Sequence, residues 1–334
     1  MMRLPDFELR RPRTLAEAAT ILAGEGPAAR PLAGGTDLLP NMKRRQQTPR
    51  VLVALGEIPG LRTFTNGAAL AIGAGTTLAA LAADTRMAQY GALAQAAARV
   101  ASPQLRNQAT LGGNLCLDTR CSYYDQSEPW RRAIGCCLKK DGDTCWVATA
   151  SRRCVAVSSS DCAPALVALG ARVRLVSREG TREVALEDFY RDDGMDHLVK
   201  RPDEILSAVD VPDAQGWRST YWKLRRRGAI DFPVLGVAAA VKRDTAGTIE
   251  AARVALGAAG SRPFLVPQAS EALIGRTLDD AAIAATARRV AARAKPVDNT
   301  DFETRWRKDV ATQLVSYALR ELRGEDLGAI RRRF

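Results

Sequence analysis

Histidine is nearly missing: His197 is the only one in 334 residues. A zinc site built from several histidines, or a relay of imidazoles, therefore has no material in this chain. His197 follows Asp192-Asp193-Gly194 in a polar loop and reads as incidental. Aromatic residues are also scarce, at 5%. The basic clusters (Arg10–Arg13, Lys43–Arg45, Arg131-Arg132, Arg225–Arg227) do not interleave with aromatics as a nucleic-acid surface would, so no nucleic-acid partner is expected. Acidic residues fall short of basic ones, 37 against 49, and the net charge of +12 suits acidic partner subunits or anionic ligands. No apolar run approaches the ~20 residues needed to cross a bilayer. Residues 1–15 lack the apolar core of a secretory leader, which predicts a cytoplasmic protein without a membrane anchor. In that compartment the seven cysteines are thiols or metal ligands. Two spacings are absent as well. There is no G-x-G-x-x-G, which argues against a plain Rossmann domain, and no C-x-x-C, which argues against a zinc ribbon or a bacterial ferredoxin.

Cysteine is concentrated where it does occur. Cys116, Cys121, Cys136, Cys137, Cys145 and Cys154 lie between Thr110-Leu111-Gly112-Gly113-Asn114 and Ser159-Ser160-Asp161. The residues between them are polar and basic, which suits a metal or cluster site better than an apolar core. Cys121, Cys137, Cys145 and Cys154 follow C-x15-C-x7-C-x8-C, a spacing that leaves both zinc and iron–sulfur open. Cys136 and Cys137 are neighbours and seldom would both face one metal. Cys116 and Cys162 read as buried free thiols of the flanking scaffold.

The chain around this region alternates helix and strand. Thr14 and Glu17 form a capping box before Leu15, Ala18, Ala19 and Leu22, an apolar helical face. The segment from Ala29 to Leu38 is a strand running through Ala33-Gly34-Gly35-Thr36-Asp37. That turn either offers backbone amides to a phosphate or is a tight turn closed by an aspartate cap. Strands are expected at Val51–Leu55, at Leu61–Thr65 with Ala69–Gly73 as a hairpin, and later at Ala171–Ser177, Thr181–Val184 and Glu204–Val211. Helices are expected from Leu78 and over Gly91–Val100, with Thr110–Asn114 as a second glycine turn. Pro212–Gly216 reads as a linker. Beyond it, strands at Ser219–Arg226, Val234–Lys242 and Thr248–Ala258 precede helices near residues 268–274, 278–294 and 302–323, a smaller α+β unit.

Taken in order, Ala33-Gly34-Gly35-Thr36-Asp37-Leu38, Ile72-Gly73-Ala74-Gly75-Thr76-Thr77-Leu78, Arg106–Asn114, Ser159–Ala171 and Tyr221–Arg227 resemble the FAD-binding medium subunits of the xanthine oxidase family of molybdenum hydroxylases. The resemblance spans nearly the whole chain. It implies an α+β fold: a two-part FAD-binding domain of the vanillyl-alcohol-oxidase type over residues 1–215, then a C-terminal domain over residues 216–334 with a three-stranded sheet and helices. The lengthened connection at about residues 116–157 looks like the iron–sulfur insertion in the β subunits of 4-hydroxybenzoyl-CoA reductases. By that likeness Cys121, Cys137, Cys145 and Cys154 would hold a [4Fe–4S] cluster.

The family's flavin contacts carry over where its motifs match. Leu32, Ala33, Gly34, Gly35, Thr36, Asp37 and Leu38 would line the diphosphate and the isoalloxazine edge. Thr110, Gly112, Gly113 and Asn114 would form the second diphosphate turn. Asp161 would bond the ribose, Ile205 and Leu206 would pack at the adenine, and Lys223 would lie near the flavin. These contacts fall outside residues 115–157, so FAD and cluster should be lost independently of each other. No catalytic residue is expected on this chain. The resemblance places the molybdenum cofactor on a large partner and two [2Fe–2S] clusters on a small one, in a dimer of heterotrimers. A ferredoxin-type donor would feed reductive dehydroxylation of 4-hydroxybenzoyl-CoA to benzoyl-CoA. The alternatives are an oxidising hydroxylase acting on an aromatic or heterocyclic substrate, and a zinc-stapled scaffold subunit. Arg120, Arg131, Arg132, Lys139, Lys140, Arg152 and Arg153 would guide an acidic donor toward the insertion.

Overall fold

A computed structural model describes residues 3–67 and 69–333 and contains three sheets. The first is parallel, with β3 (Val51–Ala54) between β1 (Glu8–Arg10) and β2 (Ala29–Leu32). The helix Leu15–Glu25 covers it with Ala18, Ala19 and Leu22. Its start keeps half of the expected capping box: Thr14 Oγ1 accepts the amide of Glu17 at 3.1 Å, while the Glu17 carboxylate returns to the amide of Arg13 at 2.8 Å, one residue before the cap.

The second sheet is antiparallel, in the order β4 (Phe64–Asn66), β5 (Ala69–Gly73), β8 (Ile205–Pro212), β6 (Arg172–Ser177) and β7 (Gly180–Ala185). The third is antiparallel and consists of β9 (Trp217–Leu224), β10 (Leu235–Arg243), β11 (Ile249–Gly257) and a two-residue β12 (Phe264–Leu265). It therefore has a fourth strand where three were expected. Strands alternate their side chains between faces, and here the alternation sorts two cores. Tyr221, Ala238 and Ala255 join the core of the N-terminal part. Trp222, Val237 and Val254 pack with the helices Asp280–Arg293 and Thr304–Arg323. The expected linker is thus no free hinge. It is a turn between β8 and β9 with Ala214 buried, and the two parts share a core.

One local expectation is corrected. Thr110–Asn114 is not a turn but the start of the helix Leu111–Leu115, because Thr110 Oγ1 accepts the amide of Gly113 at 3.1 Å and caps it. The buried segment after Asp161 is the helix Cys162–Ala168, buried all round. Between these two helices runs the cysteine-rich insertion. Its ends meet at an antiparallel bridge, Arg120 N–H to Val157 O at 2.8 Å and the reverse at 2.7 Å. Inside this neck one short helix, Glu128–Ala133, accompanies turns and a small cluster of Cys121, Tyr124, Cys137, Cys154 and Ala156.

Candidate cofactor site

A cleft of ≈ 940 Å³ opens where the first two sheets meet the insertion, a size typical of cofactor pockets. It is bordered by Leu32 through Leu38, by Thr110, Gly112, Gly113 and Asn114, by Asp161, and by Ile205 and Leu206. The structure thus gathers these expected residues in one place. Lys223 is the exception and does not border the cleft. Its ammonium is buried, bonded to Asp161 at 2.9 Å and to the Arg99 carbonyl at 3.0 Å.

The two glycine segments differ in what they can offer an anion. In the helix Leu111–Leu115 the amides are already used: Leu111 to Thr76 O, Gly112 to Ala74 O, Gly113 to Thr110 Oγ1 and Asn114 to Thr110 O. By contrast, among the described residues no protein acceptor pairs with the amides of Gly34, Gly35, Thr36 and Asp37. Free amides in a tight turn are what a diphosphate needs, so this loop fits the group and the second segment serves as its support. Gly34 is required by packing too, since a Cβ there would lie 1.9 Å from the Gln108 carbonyl oxygen. Asn114 Oδ1 accepts from Ser160 Oγ at 2.7 Å and from the Cys162 amide at 3.1 Å, which ties the helix to the Ser-Asp segment. Asp161 reaches the cleft, but Tyr221 Oη donates to one of its oxygens at 2.8 Å and Lys223 to the other. A ribose contact would have to share those oxygens.

The insertion forms one wall of the cleft. Cys116, Leu117, Asp118, Arg120, Tyr124, Lys139 and Lys140 all border it. Residues 115–157, expected to stand apart from the flavin contacts, thus border the same cleft as those residues. The polar residues near the first cysteines carried the signal, but they read as surface charge. Three of the supposed steering residues in fact face inward. Arg120 pairs with Asp37 and Asp125 and stacks its guanidinium 4.7 Å from the Phe232 ring centroid. Arg131 donates to the carbonyls of Gln126, Arg44 and Arg45, and Lys139 pairs with Asp118 at 2.6 Å. Burial pushes the Asp37 carboxyl above its ordinary value despite Arg120. Burial opposes charge on Asp118 most strongly, but Lys139, His197 and Gln47 together outweigh it and hold the carboxyl below its ordinary value. His197, which looked incidental, borders the cleft with Nε2 2.9 Å from the Leu117 carbonyl, and burial lowers its pKa.

Cys121, Cys137, Cys145 and Cys154 are buried, unpaired and gathered around a second, smaller hollow. Its free volume is ≈ 10 Å³, about one water. Among the described residues, no group of three or more His, Cys, Asp or Glu side chains is placed to hold a single metal ion. Four thiols around one hollow match the ligand count of a cubane. Burial raises the Cys121 thiol to about 11, so its thiolate would form on iron binding. Cys136 lies outside the hollow, its backbone at φ 63° and its carbonyl bonded by Trp146 Nε1. Cys162 is in the core, while Cys116 borders the cleft.

Residues 5–214 match the FAD binding domain in molybdopterin dehydrogenase, and residues 219–322 match the CO dehydrogenase flavoprotein C-terminal domain. The chain belongs to the FAD-binding medium subunits of the molybdenum hydroxylases. This flavin subunit is 36% identical to the aldehyde oxidoreductase FAD-binding subunit of Escherichia coli (strain K12) over 279 residues, covering 80% of this chain and 86% of that one. It is 30% identical to the carbon monoxide dehydrogenase medium chain of Afipia carboxidovorans, covering 83% of each. The crystal structure of the Cu,Mo-CO dehydrogenase superposes with a TM-score of 0.79 at 26% identity, covering 96% of the flavin subunit and 98% of that chain. These likenesses bear out the two-part α+β fold and do not single out 4-hydroxybenzoyl-CoA reductase. No helix among the described residues is long and apolar enough to cross a membrane.

Proposed function

We propose that this flavin subunit serves an oxidising molybdenum hydroxylase whose substrate is an aldehyde. It would work beside a large molybdenum subunit and a small [2Fe–2S] subunit, and would bear a [4Fe–4S] cluster on Cys121, Cys137, Cys145 and Cys154. The observation that carries the reading is the 36% identity to an aldehyde oxidoreductase FAD-binding subunit over 86% of its length. Electrons would then leave the enzyme through this subunit, reversing the direction first expected, and a ferredoxin-type protein would accept them instead of donating them. Bound FAD would supply a two-electron carrier able to release electrons singly.

The chain's own residues bind and orient. The amides of Gly34 to Asp37 would hold the diphosphate, and Ile205 and Leu206, buried at the start of β8, would offer an apolar face to the adenine. Asp37 is fixed by Arg120, by the Asp118 amide at 3.2 Å and by Asn41 Nδ2 at 3.2 Å, so the loop enters the cleft already ordered. A preformed site binds with less ordering cost.

Co-expression with its partner subunits tests the reading. The purified complex should contain stoichiometric FAD and oxidise aromatic or aliphatic aldehydes with an artificial acceptor. The four-cysteine hollow favours a second reading, the reductive dehydroxylation of an aroyl-CoA. Benzoyl-CoA formation from 4-hydroxybenzoyl-CoA with a low-potential donor, without aldehyde oxidation, would establish that one instead.

A further inference from the structure

The flavin cleft and the four-cysteine hollow share a wall. Among the described residues, only Tyr124 and Lys139 border both. Lys139 Nζ donates to Asp118 Oδ1, Thr119 Oγ1 and the Gly194 carbonyl, each at 2.6 Å, and its side chain is 6% exposed. All three ammonium protons are engaged, so the charge is pinned. Asp118 is equally committed, its other oxygen accepting from Gln47 at 3.0 Å and from Tyr124 Oη at 3.0 Å. The Tyr124 ring lies 4.8 Å from the ammonium.

The position of this cation is set by the cysteine segments themselves. Lys139 follows Cys137 by two residues in a tight turn, with the Lys140 amide donating to the Cys137 carbonyl at 2.8 Å. Gly194, which supplies the carbonyl, donates its amide to Cys154 O at 2.8 Å. A Cβ on Gly194 would come within 2.7 Å of the Ala156 nitrogen, so glycine lets the loop close on the Cys154 segment. Asp118 borders the cleft but not the hollow, whereas Lys139 borders both. A buried ion pair adds little net stability over an apolar packing of equal volume. It does set a strong local field, because charges act at low dielectric.

We propose that Lys139 is one cation shared by two redox sites, raising the reduction potential of the flavin and of the cluster together. The proposal rests on the cofactor assignment made above. Adding an electron makes either site more negative, and a fixed positive charge in the common wall favours that state. Removing Lys139 takes away the cation and leaves Asp118 uncompensated, so both potentials move down. Removing the Asp118 charge leaves Lys139 uncompensated, so both move up.

The test is a redox titration of the assembled enzyme, following the flavin by absorbance and the cluster by low-temperature electron paramagnetic resonance. Lys139→Met should shift both midpoints negative, Asp118→Asn should shift both positive, and Lys139→Arg should stay near wild type. A wall that only props the fold would change iron and FAD content without opposite shifts of potential. Midpoints that stay put, or move the same way in the methionine and asparagine variants, overturn the proposal. Should Lys139→Met not assemble, the sign of the Asp118→Asn shift decides. Iron analysis of the wild type separates the underlying assignment: absence of the cubane removes the cluster arm and the reading behind it, while the flavin midpoints still decide whether the charge acts on FAD.

Discussion

Lys223 donates to Asp161 across 2.9 Å, and neither side chain has more than 3% of its surface exposed. Lys223 lies on β9 of the C-terminal part, and Asp161 immediately precedes the helix Cys162–Ala168. The pair therefore joins the two parts through their common core. Burial pushes the carboxyl up and the ammonium down from their ordinary values, and each partner opposes the shift in the other. Removing one member strands the other, at a cost of about 3–5 kcal/mol. Lys223→Met should destabilise by that order in urea, and Lys223→Met with Asp161→Asn should recover much of it. Loss of FAD from the single variant without loss of stability would return Lys223 to the flavin.

Gly34 and Gly113 separate packing from ligand binding. A Cβ at Gly34 meets the Gln108 carbonyl oxygen at 1.9 Å, whereas at Gly113 the nearest atom is Thr110 Oγ1 at 3.0 Å. Overpacking against rigid backbone costs about 1–3 kcal/mol or more. Gly34→Ala should therefore lower the melting temperature of the FAD-free protein as well as its FAD content. Gly113→Ala should leave the FAD-free melting temperature close to wild type. Equal losses in both variants would show that the two glycines do the same job.

Cys145→Ser should remove about four irons and four sulfides per chain, because a serine oxygen is a poor ligand to a sulfide cluster. Cys136→Ser should keep them, since Cys136 does not border the hollow. Since the insertion walls the cleft, the Cys145 variant should also bind FAD less tightly. Iron that survives in Cys145→Ser, or disappears in Cys136→Ser, would redraw the ligand set.

Glu204 gives a pH signature. Arg182 donates to both its oxygens, at 2.6 and 2.9 Å, and the Arg201 amide donates at 2.7 Å. Burial opposes its charge, but these bonds prevail and hold its pKa below the ordinary glutamate value. The stabilisation is therefore complete above the unfolded value of about 4.3 and fades as pH falls through the lower, folded value. With Arg182 half exposed, Glu204→Gln should cost about 1 kcal/mol at neutral pH. The gap between variant and wild type should close on acidification. A gap of constant size would place the effect in packing instead.

The fold was largely legible because its signals are local. The Thr14 and Glu17 capping box, the alternation along β6 and the Gly34-Gly35 turn each depend on residues near in sequence. The residues that line the cleft were legible through motifs that keep their order. What escaped depends on distant partners. Nothing near Lys139 announces Asp118 or Gly194 as its acceptors, and a lysine in a polar, basic stretch reads as solvated. Thr110–Asn114 looked like a turn because two glycines outweigh one threonine cap. Lys223 matched a motif, but its commitment to Asp161 is set by how β9 packs on the N-terminal core.

The bridge between Arg120 and Val157 means that residues 121–156 leave the scaffold and return through one doorway. A lobe attached this way can change length at little entropic cost, since each doubling of a loop adds only about 0.6 kcal/mol, while the part that walls the cleft is tied to the scaffold through Arg131 and Lys139. With one short helix and a handful of apolar side chains, the lobe has hardly any interior of its own, and iron would supply the cross-links that an interior normally provides. Stripped of metal, the lobe should become the weak point to trypsin at Arg132, Lys140, Arg152 and Arg153 while the rest resists. The nicked chain would still travel as one particle, its two pieces held by the shared core.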